Sequence, residues 1–571
     1  MKKRVLALIL AAVMTVSLAA CGSQGGGTGQ GNGEQAGGEK TEQGGTGQPG
    51  INQTGSGQAG SDSDSGGSED PNGAYEDTVT LKVALMNYPG TGYAQGDDVT
   101  NNPWIRSYKE RFNIDVVPAF VSDNGEYATK INLAIAEGSL PDVFQVTASQ
   151  LQQLIEADLL CDLTDLFDTY AGEAIKSFME SEPESFDSGK ADGRLYGIPQ
   201  LGYGYLPHPR FIWIRKDWKE ALKLEDPETM DDVVEIAKAF MKEYGAMGIA
   251  ADQSLTMLKI IAIAWGAHPD IWVDDGTGQI VYGSVQPQMK EALAAWAGWY
   301  QEGIIGPDFA TTNTEKINED TINGKVGIYP WYQWWGYTPG ADVVANLGAE
   351  AYFEPYAIPS ANGSEVLSTL LCDNSTYIVV SKKCKNPEAA LKCINFYTYL
   401  TDEARGIEGQ ELIEAHTSNG MTQAANILRV LNPNAEYNDY VKVKEALDKK
   451  DPSILISTGQ LGKYNSCVDF AENGTPAAVG DYLQQGAEKS AYSIAKPILD
   501  EERYVKNKVW AVIPETLLNT GSTLEDILCE GYTKIIMGEE SIDYFDTVVA
   551  NWKAAGGDQA TVEVNQMYGG K

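Results

Sequence analysis

Positive charge is scarce in this sequence. Its 571 residues carry 42 Lys and Arg against 80 Asp and Glu, a formal charge of −38 at pH 7, or −41 without the three basic residues at positions 2–4. So acidic a chain excludes nucleic acid and anionic lipid as binding partners of its surface, and suits a neutral ligand. Histidine is scarcer still. His208, His268 and His416 are the only three, no two share the close spacing of a metal pair, and lone histidines in loops read as solvated. Seven cysteines include no CxxC pair and no zinc spacing; apart from Cys21 they read as mostly buried free thiols. There is no GxSxG elbow and no phosphate-binding P-loop. Asp274-Asp275-Gly276-Thr277-Gly278 lacks the alternating oxygens and closing Glu of a calcium loop, and reads as a hairpin turn ahead of residues 279–282. The sequence therefore implies no metal, no cofactor and no enzyme. Eighty acidic residues still leave room for a carboxylate pair of the glycosidase kind, so an anchored polysaccharide-degrading enzyme is the rival reading from another class.

Long apolar runs are absent except at the N-terminus. Lys2, Lys3 and Arg4 precede the apolar residues 5–16, and Leu18-Ala19-Ala20-Cys21 follows. This is the layout of a secretory leader, and the tetrapeptide resembles a lipobox that ends on the cysteine to be lipidated. The run is short of the ~20 residues that a membrane span needs. Residues 1–20 are thus expected as a lipoprotein signal peptide, with Cys21 carrying the lipid that holds the protein to the outer face of the cell membrane. Residues 21–76 are rich in Gly, Ser, Gln, Thr and acidic side chains, with Ile51 the one large aliphatic residue after the leader cysteine. They are expected to form a disordered tether, with an r.m.s. span of ~40 Å for a Gly-rich coil.

The remaining residues exceed one core and suggest two lobes. Val79, Leu81, Val83 and Leu85 alternate as a strand does; Asn102-Pro103 opens a helix; residues 114–121 and 142–146 give further strands around a helix at 127–136 that Gly138 stops. Val233, Ile236, Ala237, Phe240 and Met241 form a helical stripe after Thr229, and Met289, Ala292, Leu293, Trp296 and Tyr300 another behind Pro287. Residues 325–329 and 377–380 read as strands, and Asn386-Pro387 as the start of a helix. The class is α/β, with a mostly parallel, helix-covered sheet.

Several stretches, in order, resemble the family 1 extracellular solute-binding lipoproteins of ABC importers, in the branch associated with complex oligosaccharides. They include Gly193-Arg194-Leu195-Tyr196-Gly197-Ile198-Pro199, Trp213-Ile214-Arg215-Lys216-Asp217-Trp218, Glu302-Gly303-Ile304-Ile305-Gly306-Pro307-Asp308-Phe309-Ala310, Gly324-Lys325-Val326-Gly327, Asn386-Pro387-Glu388-Ala389-Ala390 and Asn551-Trp552-Lys553. His208-Pro209-Arg210 departs from the pattern. The resemblance implies a two-lobed, type II periplasmic-binding-protein-like clamp with hinge crossings. Residues 77–200 and 374–505 would form the first lobe, and 201–373 and 506–571 the second. Crossings are expected near 196–203, 372–374 and Trp510. The implied partners are an oligosaccharide and the permease subunits of an importer, served by a monomer. A peptide ligand is the runner-up, and a sugar-binding adhesin or sensor a third reading.

Sugar rings pack their C–H faces on aromatic side chains and bond their hydroxyls to polar ones. The densest aromatic candidate is Trp331-Tyr332-Gln333-Trp334-Trp335, just beyond the strand at 325–329, where open α/β sheets hold ligands. Its spacing suits no single face, so some rings are expected in the core. Trp265 and Trp272 flank the Gly266-Ala267-His268-Pro269 turn, while Trp296 reads as core. Tyr203 and Tyr205 lie at the first crossing. Polar candidates are Asn87, Thr147, Asp373 and Asn374, each equally suited to a local turn or cap.

Overall fold

The computed structural model describes residues 70–87, 93–201, 210–370, 376–401, 426–510 and 513–569. Cys21, the leader and tether up to residue 69, Tyr203, Tyr205, Asp373 and Asn374 lie outside the described residues.

The first body is built on a five-stranded sheet. Its N-terminal part comprises β1 (Val79–Asn87), β2 (Ile114–Asp123), β3 (Val143–Val146), the small hairpin β4 (Lys190–Ala191) and β5 (Arg194–Leu195), and β6 (Gly197–Pro199). Along β1 the buried Val79, Leu81 and Val83 alternate with exposed residues, then the strand dips wholly into the core. Asn102 caps the helix Pro103–Phe112, its side chain accepting from the amides of Trp104 and Ile105. Gly138, at φ 69°, ends the helix Asn124–Glu137 in the left-handed conformation that glycine adopts without penalty.

Residue 70 enters this body at the pole opposite the carboxyl ends of the strands. The buried Lys392 donates to the carbonyls of Asp70 and Gly73, the latter at 2.9 Å, and Tyr75 plugs in beside it with its hydroxyl 2.7 Å from Glu388.

The second body begins with β7 (Arg210–Arg215), followed by a ribbon of β8 (Trp272–Asp274) and β9 (Ile280–Tyr282), then β10 (Ile328–Tyr332), β11 (Phe353–Ala357) and β12 (Ser368–Leu370). The turn between β8 and β9 is the expected one, with Asp274 and Asp275 side chains accepting from the amides of Gly276 and Thr277. The three-stranded sheet runs β10-β7-β11, antiparallel throughout. β7 is buried on both faces. Phe211 and Trp213 join one core with Tyr329, Trp335 and Phe353, while Ile212 and Ile214 join another with Val233, Phe240 and Trp296. β10 is an edge strand, which is where Pro330 costs no ladder bond.

The chain then returns. β13 (Tyr377–Val380) pairs antiparallel with both β3 and β6, completing the order β2-β1-β3-β13-β6. Only β2-β1-β3 is the expected parallel sheet; β13 comes back from the second body and so enters from the opposite end. After the helix Glu388–Thr401, residues 427–430 still pack in the first core, and the Leu431 amide bonds to the carbonyl of Gln200.

Beyond that point the division expected from sequence, with 374–505 in one lobe, differs from the packing. Tyr440, Phe470, Val479, Leu483 and Tyr492 share the core of Trp213 and Trp335 in the second body. The change of body falls between Leu431 and the helix Ala435–Lys449, because the aromatic side chains of the helices over 435–500 cover the face of the second sheet that carries Trp213. β14 (Tyr504–Lys506) pairs parallel with β12, and Trp510 packs edge-on to Tyr568 within the second body rather than at a crossing.

Candidate functional site

The carboxyl ends of β1, β2, β3 and β6 lie at one end of the first sheet, where the chain leaves after Leu201 and re-enters at Thr376. In the second sheet Arg210 pairs with Tyr332 and Phe211 with Ala357, so the start of β7 and the ends of β10 and β11 share the end at which the chain arrives from the first body. The end of β6 and the start of β7, which flank one passage between the bodies, thus lie at these two ends.

On the second body the end of β10 carries an aromatic platform. The strand starts at Ile328, three residues later than the sequence implies, because residues 325–326 are held instead against Met247. Trp331 and Tyr332 thus belong to the strand itself, and a 3₁₀ turn (Gln333–Gly336) follows. Tyr332 and Trp334 stack at 4.6 Å with an interplanar angle of 19°, and both are half-buried. Trp331 stands edge-on to Tyr332 at 5.6 Å and to Tyr329 at 5.8 Å. Trp335 has the opposite surroundings. It is fully buried, stacked on Trp213 at 5.2 Å and packed on Phe353 at 4.5 Å, so the rotation of the 3₁₀ turn commits it to the core. The Trp213 indole N–H donates to the Tyr332 carbonyl at 3.2 Å and ties platform to core.

Polar groups surround the Tyr332 ring. Arg210 is buried; its Nη1 donates 3.3 Å to the Lys259 carbonyl, and burial pulls its guanidinium below the usual arginine range. Lys259 bridges Asp270, at 2.9 Å, and Glu525; burial opposes its charge, but the two carboxylates outweigh that and raise its pKa. His268 bonds through Nδ1 to Thr369 Oγ1 at 3.0 Å. Burial first, and then the Arg210 charge, push its pKa down to about 4, so at neutral pH it is an uncharged ring rather than a solvated cation. Burial raises the Tyr332 hydroxyl, while Arg210 pulls the other way, so it remains a protonated donor. An uncharged phenol, an imidazole and a guanidinium beside stacked rings can grip hydroxyl-rich or anionic ligands.

The other candidates separate clearly. Trp265 is half-buried, leaning on Trp299 at 5.7 Å and edge-on to the buried Trp296. Trp272, 5% exposed, is wedged against Tyr282 and Trp552 and belongs to the core, because β8 folds back on the C-terminal helices. On the first body Asn87 donates to Asp123 across the ends of β1 and β2 at 2.9 Å. Thr147 caps the helix Ala148–Glu156 in a reciprocal box with Gln150, a local role that occupies its hydroxyl. The platform and Trp265 were legible from residue type. Arg210, Lys259 and Asp270 were not, because only strand pairing and the turn after residue 265 bring them together.

The family model of bacterial extracellular solute-binding proteins matches residues 96–399, over half of the chain. The chain belongs to that family. This solute-binding protein is 22% identical over 526 residues to lipoprotein LipO of Bacillus subtilis (strain 168), covering 86% of this chain and 92% of the relative. It is 25% identical over 463 residues to the polygalacturonan/rhamnogalacturonan-binding protein YtcQ of the same organism, covering 77% and 82%. Among solved structures, an HMO-binding, ABC-transporter-associated solute-binding protein from Bifidobacterium longum infantis superposes with a TM-score of 0.58 at 14% identity, over 86% of this chain and 98% of that one. The fold is that of the periplasmic-binding-protein-like solute-binding proteins, an α/β class in which antiparallel strands complete each sheet here.

Proposed function

We propose that this solute-binding protein captures an oligosaccharide between its two bodies and delivers it to an ABC importer, held to the outer face of the cell membrane through a lipid on Cys21. The observation that carries the reading is the stacked Tyr332–Trp334 pair at the end of the second sheet, where Arg210 pairs with Tyr332 and its charge acts in turn on His268, which is bonded to Thr369. Such a site offers flat apolar faces for sugar C–H groups and donors for sugar hydroxyls. The polygalacturonan/rhamnogalacturonan binding of YtcQ supports the sugar class, the ABC-transporter association of the Bifidobacterium protein supports the transport role, and the relative LipO, a lipoprotein, supports the anchor. Residues 77–201 with 376–431, and 210–370 with 435–569, would act as the two jaws.

A thermal-shift screen of residues 70–571 against glycan and peptide libraries tests this. A one-site ligand at ~100 times its Kd adds ~2.7 kcal/mol of stability. Oligosaccharides are expected to give the shifts, with no release of reducing ends on prolonged incubation. Shifts from peptides alone would replace the sugar with the runner-up ligand.

A further inference from the structure

Two arginines are buried among the described residues, and they are treated differently. Arg215 has its Nε 2.7 Å from Asp217 Oδ1 and its guanidinium 4.6 Å from the Trp218 ring centroid. Among the described residues, no carboxylate lies within ion-pair distance of Arg210. Among the described residues its hydrogen bond goes to a backbone carbonyl, that of Lys259, and its Nε, like Nε and Nη1 of Arg215, is buried without a hydrogen-bond acceptor. Asp270, the acidic group whose charge acts on it, makes its own ion pair with Lys259, which Glu525 also engages. His268, the other titratable neighbour, is uncharged at neutral pH and turned to Thr369.

A buried charge is retained where it is paired and hydrogen-bonded, because desolvation otherwise favours its removal. None of the acidic side chains among the described residues pairs with Arg210, although the residue opens the central strand of the second sheet beside the Tyr332–Trp334 platform. The missing counter-charge is therefore to be sought in what the site receives. A guanidinium offers a planar fork that matches a carboxylate in two parallel hydrogen bonds, which a neutral hydroxyl does not reproduce. The net charge of −38 does not forbid an anionic ligand, since exposed charges are screened over ~8–10 Å at moderate salt and the guanidinium acts at contact. We infer that the captured oligosaccharide is acidic, and that Arg210 reads one of its sugar carboxylates while the ring stacks on the platform. This rests on the oligosaccharide reading given above.

Calorimetric titration of the soluble chain decides it. The probes are oligogalacturonates and oligomannuronates of three to six units, the same oligomers as methyl esters, and neutral galacto-oligosaccharides of equal length. At least one uronate series should bind, with its methyl ester weaker by roughly thirtyfold. Arg210→Gln should abolish that preference, and Arg210→Lys should keep part of it, since lysine supplies the charge without the fork. If the glutamine variant fails to fold, the acid-to-ester ratio of the wild type and the lysine variant carry the decision. Equal affinity for acid and ester, or binding of neutral oligomers alone, overturns the role of Arg210 and leaves oligosaccharide capture standing. Peptide binding with no carbohydrate binding of any kind overturns both.

Discussion

Trp334 and Trp335 are adjacent in sequence, yet one ring is half-open on Tyr332 and the other is sealed against Trp213 and Phe353. Truncation should separate them. Trp335→Ala empties a closed core position and is expected to cost ~3–5 kcal/mol of stability, with binding affected only through the fold. Trp334→Ala leaves no sealed cavity, so melting should change little while ligand affinity drops by ~2 kcal/mol or more, as for a binding hot spot. Paired melting and titration measurements on the two variants check the assignment, and the reverse ordering would move the platform elsewhere. His268 gives a pH signature. Its pKa lies near 4 in the fold against 6.5 for the free side chain, so the unfolded chain takes up its proton first as pH falls. Its contribution is complete above ~6.5 and lost progressively down to ~4, amounting to ~3 kcal/mol. Between those pH values the wild type should lose stability faster than His268→Gln; parallel curves would show that the ring is not held neutral.

At the scale of elements, the turn that carries the platform is supported from behind by the helices over 435–500. Tyr337 donates its hydroxyl to Asp481 at 2.7 Å and stands close to Gln484, and its ring lies over Gly480, where a Cβ would sit 2.2 Å from the ring edge. Gly480→Ala must therefore displace Tyr337 and with it the turn Gln333–Gly336. The expected outcome is a lowered melting temperature together with weakened ligand binding, although residue 480 is not part of the platform. The same elements show what sequence could reveal. Caps and periodicity located the helices at 103–112, 230–244 and 287–301 because Asn102, Thr229 and Pro287 act within one turn of themselves. The ring cluster at 331–335 was visible from residue type. Two things were invisible. The body to which the helices over 435–500 belong depends on Tyr440 and Tyr492 meeting the far face of β7, a contact over 200 residues away. The Arg210 environment depends on pairing to Tyr332 and on the short helix Thr256–Ile261 some 50 residues on, which no local pattern encodes.

For the whole molecule, the proposed capture between two bodies predicts motion. A ligand that touches both bodies favours their approach by its differential affinity for the closed arrangement. Small-angle scattering of residues 70–571 should show a smaller radius of gyration with a bound oligosaccharide than without, and a tight ligand that leaves it unchanged would count against the jaws. One further consequence is mechanical. The N-terminal end of the described chain is fastened at Lys392 and Tyr75 before it becomes β1, the strand that pairs with both β2 and β3. A pull applied upstream of residue 70 first loads that fastening and then runs along the axis of β1, so its parallel ladder to β2 is strained in shear, all bonds sharing the load, rather than unzipped one by one. With the proposed anchor at Cys21, drag or cell-wall friction would thus be borne by a shear-resistant strand at the pole away from the proposed ligand site. Lys392→Met should lower the rupture force measured from an N-terminal handle while leaving oligosaccharide affinity intact.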